Sequence, residues 1–148
     1  MMKVFQRKHP DRNTAFALAL LPGIMLLVLE YVFRSLNFYG GSFSQIDIAM
    51  HILGGASVAW AVWALMRYAR AVKKLPILPF WFSVFVAVGA AAIVGVLWEQ
   101  YQFLHDTFFH TDYQLVEFGI SDTMKDLADD LIGGLLLSVF VGRKMLKK

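Results

Sequence analysis

The chain has 148 residues, 58% apolar and 17% charged, with a mean hydropathy of +0.57 and a formal net charge of +3. Those values describe one integral membrane domain, residues 1–148, with no stretch left over for a soluble one. With no cysteine, disulfides, thiolate metal sites and cysteine nucleophiles are excluded; the basic pI of about 9.3 reflects residues that orient membrane spans and meet anionic lipid, so nucleic acid is not an expected partner.

Four apolar segments follow in chain order, predicting an all-α, polytopic bundle of four transmembrane helices at about 15–33, 46–66, 77–98 and 123–142. The first follows Lys3, Arg7, Lys8 and Arg12 as a signal peptide would. Its length, and the lack of a small-x-small cleavage pattern beyond it, predict a retained anchor. The third is uncharged from Phe80 to Trp98, close to the roughly 20 residues a span requires. After it, Tyr101 to Ile120 is rich in aromatic residues, including Phe103, Phe108, Phe109, Tyr113 and Phe118, with His105 and His110 among them. This reads as an interfacial loop or short helix on the outer leaflet, or as a lid over a lipid substrate.

The fourth segment is uncharged only from Leu131 to Gly142, about 18 Å of helix against a hydrocarbon core of about 30 Å. A spanning helix here has to start near Asp122 or Thr123. Twelve of the fourteen basic residues precede the first segment, join the second to the third, or follow the fourth, leaving Arg34 and Lys125 at the opposite end. The positive-inside rule then predicts that both termini are cytoplasmic.

That arrangement carries acids to outer-leaflet depth. Asp122, Asp126 and Asp130 recur every four residues and share a helix face, with Asp129 on its flank. Asp47 and His51 are an i, i+4 pair at the start of the second segment, Glu99 and Gln102 lie at the end of the third, and Glu30 is near the end of the first. Gly54, Gly55, Gly89, Gly95, Gly133 and Gly134 allow close helix approach. Carboxylates gathered in a low-dielectric pocket have to be neutralised by protons or by a bound cation. Carboxylates with one imidazole suit a divalent Mg, Ca, Mn or Zn ion, and Asp47, His51, Glu99, Asp122, Asp126 and Asp130 are the candidate ligands. Blander roles stay open beside this one: Asp122 and Thr123 as helix caps, Asp126 paired with Lys125 or facing a water-filled surface, His51 as a hydrogen-bonded core residue, Glu30 reaching to the interface.

No G-x-S-x-G elbow, phosphate-binding glycine loop, H-E-x-x-H helix or internal repeat occurs, and no organic cofactor is expected. The ordered set Asp47-x3-His51, Glu99-x2-Gln102 and Thr123-x2-Asp126-Leu127-x2-Asp130-x2-Gly133 resembles the VanZ-like family and the related YjdF-like membrane proteins, over about Ile46 to Gly142. Asp130 in that motif is closer to the YjdF-like pattern. The resemblance implies a multi-pass protein of the bacterial inner membrane and, for the VanZ group, a link to glycopeptide-antibiotic resistance. The acids point to a metal-dependent hydrolase or transferase acting on a lipid-linked or phosphate-bearing substrate. The alternative is a non-catalytic lipid- or ligand-binding accessory protein, with cation or proton transport as a third class.

Overall fold

The computed structural model describes residues 11–36, 38, 44–111 and 119–146, and among them it contains helices and no strand. Four long helices, α1 (Arg12–Ser35), α2 (Ser44–Ala71), α3 (Phe80–Phe109) and α4 (Ile120–Phe140), are followed by the short α5 (Gly142–Leu146). Stretches within α1, α2 and α3, Arg12–Ser35, Gln45–Ala71 and Phe80–Phe109, are long and apolar enough to cross a membrane. Acids at its start set α4 apart from that group. It nevertheless packs within the bundle, against α2 most extensively and against α3 as well.

Helix α1 starts at a side-chain cap: the Asp11 carboxylate accepts from the Thr14 backbone N–H at 3.0 Å and from its hydroxyl at 2.9 Å. The first of these bonds serves a backbone donor that the first helical turn leaves without an intrahelical partner. Pro22, inside α1, supplies no N–H to the Leu18 carbonyl four residues earlier. The Trp60 indole of α2 donates to that carbonyl at 3.0 Å. A neighbouring helix thereby repairs a break in the backbone ladder, as hydrocarbon surroundings demand. Although α1 packs on α2, it makes no comparable helix contact with α3 or α4.

Helix α3 runs about three turns past the end predicted from its apolar stretch. No glycine or proline interrupts it after Gly95, and Tyr101, His105 and Phe109 stack at i, i+4 spacing with ring centroids 5.7 and 4.9 Å apart. It stops at His110, whose left-handed backbone (φ 52°) lets its N–H return to the Asp106 carbonyl. The first part of the expected interfacial segment is thus a continuation of α3. Tyr113 and Phe118 lie outside the described residues, as do Lys3, Arg7, Lys8, Lys147 and Lys148.

Helix α2 runs antiparallel to α3 and in the same direction as α4. Trp63 of α2 meets both Phe80 at the start of α3, with ring centroids 6.2 Å apart, and Ser138 near the end of α4, where its indole donates to the hydroxyl at 3.0 Å. Ala59, Val84 and Ala87 complete this buried apolar core. A Cβ at Gly142 would run into the Trp63 ring, and the Arg143 guanidinium lies 5.1 Å from the Phe80 ring centre. This end of the bundle carries Arg12, Arg67, Arg70, Lys73, Lys74, Arg143 and Lys144 with the capping Asp11, while Asp47, Glu99, Asp122, Asp126 and Asp130 gather at the other.

Candidate functional site

The site is built where α2 crosses α4 at backbone contact. A Cβ at Gly55 would run into the Asp130 carbonyl, and one at Gly133 would run into the Ile52 carbonyl, so each helix offers a glycine to the other's backbone. The same crossing brings the Asp130 side chain against α2 and α3. A Cβ on Gly54 would lie 3.3 Å from Asp130 Oδ1, and one on Gly95 would run into Asp130 Oδ2. Two glycines on two helices, Gly54 and Gly95, therefore leave a socket for one carboxylate.

His51 stands one turn before Gly55, and its Nδ1 lies 3.4 Å from Asp130 Oδ2. With the proton on Nδ1, Asp130 orients the ring and leaves the Nε2 lone pair directed away from it. Nε2 then faces Asp47 Oδ1, Glu99 Oε1 and Asp126 Oδ2, each at 3.8 Å. These separations exceed hydrogen-bond length. They are close to the edge of a ligand tetrahedron, which is about 3.4 Å when each ligand is about 2.1 Å from the centre. One ligand atom each from Asp47, His51 and Asp126 converge within 4.8 Å of one another, an arrangement that could hold a metal ion. His51, Glu99, Asp126 and Asp130 are each no more than 6% exposed, and Asp47 is 9% exposed.

The predicted candidates divide into groups. Asp47, His51, Glu99, Asp126 and Asp130 come together around the imidazole. Asp122 joins them through Lys125, whose Nζ lies 3.0 Å from Asp122 Oδ1, 3.0 Å from Asp126 Oδ1 and 3.4 Å from Asp47 Oδ2. Nor does Asp122 cap α4 with its side chain: Gly119 occupies the cap position without a side-chain hydrogen bond, while the Asp122 backbone N–H bonds the Gly119 carbonyl at 3.1 Å. Thr123 turns its hydroxyl to Glu99. Glu30 is paired with Arg34, and with the Gln102 amide turned to suit its neighbours, its oxygen accepts from Arg34 Nη2 and Trp98 Nε1, both at 3.1 Å. The Glu30–Arg34 pair and Gln102 thus tie α1 to α3 beside the cluster, while Lys125 pairs with Asp126 as expected and is also a hub to Asp122 and Asp47, which the expectation did not include. Its i, i+3 relation to Asp122 was the visible signal; its reach to Asp47 on another helix was not.

Five carboxylates consequently share one ammonium and one imidazole. Desolvation and mutual repulsion penalise that charge count, so protons or a cation must lower it. Beside the cluster, between α1 and α3, lies a cavity of about 420 Å³ whose wall includes Asp47, His51 and Asp130.

A family described as predicted membrane protein (DUF2238) matches residues 4–147, and the chain belongs to it. No curated protein and no solved structure matches the chain.

Proposed function

We propose that Asp47, His51 and Asp126 bind one divalent cation, that Glu99 completes its protein ligands, and that Asp130 fixes the imidazole. In this reading the chain is a single four-span domain of the bacterial inner membrane, with both termini cytoplasmic and the cluster facing the extracytoplasmic side. The observation that carries the cation is the convergence of three ligand atoms within 4.8 Å, buried and drawn from α2 and α4. Oxygen donors with a single imidazole favour Mg, Mn, Ca or Zn over softer ions. A bound ion would polarise a substrate oxygen or activate water, which suits hydrolysis or group transfer on a lipid-linked or phosphate-bearing substrate. The motif's resemblance to VanZ-like and YjdF-like proteins supports the membrane and the compartment. Asp122, first a candidate ligand, becomes the partner of Lys125.

Elemental analysis of protein purified without chelators tests this reading. Wild type should retain about one divalent ion per chain and Asp126→Asn much less, because the amide keeps the size and loses the charge. A metal-free wild type that also fails to take up added Mn or Zn would refute it.

A second reading has an observation of its own. Lys125 already reaches Asp47, Asp122 and Asp126, so an ammonium supplies part of the compensation an ion would give. A non-catalytic binding or accessory protein follows if that ammonium and protons suffice. Lys125→Met distinguishes the two: metal occupancy rises or holds if the cation reading is right, whereas without a cation the vacated carboxylates lower stability.

A further inference from the structure

We infer that the cleft between α1 and α3 is the seat of a single hydrocarbon chain of a membrane phospholipid, whose head lies against Asp47, His51 and Asp130. The cleft exists because α1 and α3 both pack closely on α2 and reach each other through the Arg34 and Gln102 side chains rather than by close backbone packing. Its volume, about 420 Å³, falls within the range of small-molecule sites, about 300 to 1,000 Å³. Leu20, Gly23, Leu27 and Glu30 line it from α1 at spacings of three and four, one continuous helix face. Met25 and Val28, on the other side of α1, are exposed without lining it. The α3 wall is contributed by Ala91, Val94, Gly95, Trp98 and Gln102, and α2 forms the floor.

The surroundings decide the occupant. Three helices able to cross a membrane place the cleft among lipid, and an apolar cleft holds no water well and loses dispersion contacts if left unfilled. Hydrocarbon chains are the filler at hand. The walls are not uniform, however, which separates a seat from a gap in packing. At one end the lining changes from leucine and valine to Glu30, Asp47, His51 and Asp130, all buried. A chain lying along α1 therefore delivers its polar head to the candidate cation cluster. This deepens the proposed function and rests on it for what the head meets; the chain seat itself rests on the cleft.

Mid-chain diazirine phosphatidylglycerol tests the seat, with the full-length protein in nanodiscs of phosphatidylethanolamine and phosphatidylglycerol and adducts mapped by peptide mass spectrometry. Gly23→Leu fills the cleft: a Cβ at Gly23 meets nothing within 4 Å, and leucine favours a helix more than glycine does. Val94→Trp fills it from the opposite wall. Expected are saturable adducts on Leu20 and Leu27 that are lost in either variant, while adducts on Met25, Val28 and Phe85 stay unchanged. Cleft adducts that persist in both folded variants, or that never exceed labelling of the lipid-facing residues, would overturn the seat. Asp126 lies outside the cleft lining, so Asp126→Asn separates the two proposals. Cleft adducts should survive in that folded variant whatever its metal content, and their loss there would count against an independent seat. A wild-type protein that labels in the cleft but binds no metal would sink the cation alone.

Discussion

Helices α2 and α4 meet twice, in regions that differ in what they bury. Around Trp63 the contact is apolar apart from one closed pair, the indole donating to Ser138. Around His51 the same two helices bury an imidazole and several carboxylates whose nearest approaches to Nε2 are all 3.8 Å. The first region is finished by its own chain. The second gathers ionisable groups that a purely structural contact does not need, because replacing such groups by apolar ones is often neutral or stabilising. The Trp63 end is closed by its own side chains, and the His51 end is where the proposed cation would bind.

Substitutions can break that comparison or sharpen it. The largest stability effect is expected at Trp63, which has no exposed surface. Trp63→Ala should cost about 3 to 5 kcal/mol, read by thermal or denaturant unfolding in detergent, with no specific effect on metal affinity in the surviving folded fraction. Next comes the crossing beside the cluster. Gly55→Ala drives a methyl into the Asp130 carbonyl and should cost about 1 to 3 kcal/mol while also displacing Asp130 from His51. Were Gly55→Ala to leave stability and metal content untouched, the two helices could not be as close as described.

Within the cluster the expected effect moves from stability to binding. Asp130→Asn weakens the hold on the imidazole and should lower metal affinity by about 10- to 100-fold with the fold retained. Asp122→Asn, acting through Lys125, should do much less. Equal effects from the two would remove the distinction between the residue that orients His51 and the one that sits at the rim. The smallest effect lies outside the bundle, at Asp11. Its carboxyl is held below its ordinary value of 3.8, first by the Thr14 backbone N–H and then by the Thr14 hydroxyl. The capping contribution is therefore fully present above that ordinary value and is lost as pH falls through the lowered folded one. Wild type and Asp11→Ala should differ slightly in melting temperature at neutral pH and converge in strong acid.

Much of this was legible in the chain because it depends on period and spacing. The i, i+4 relation of Asp47 and His51, the stripe through Asp126 and Asp130, and the paired glycines at 54–55 and 133–134 all point to a close polar crossing, and they meet there. What spacing could not supply was rotation between helices. It did not show that Asp122 turns to Lys125 while Asp130 turns to His51, because both share one face of α4. It also could not show that Gln102 serves Arg34 and Trp98. The end of α3 was misplaced for a different reason: its apolar stretch finishes at Trp98, but a helix needs no apolar residues to continue, only the absence of a breaker, and none comes before His110. The gap between α1 and α3 was invisible, since it arises from which helix backbones fail to pack closely.

The central claim, a cation held by Asp47, His51 and Asp126, is tested most directly by loading the purified protein with Mn(II) and recording electron spin-echo modulation. The account predicts tightly bound Mn(II) carrying nitrogen modulation from one imidazole, lost in His51→Gln and strongly reduced in Asp126→Asn. Bound Mn(II) with no nitrogen coupling, or the same signal in both variants, would contradict it.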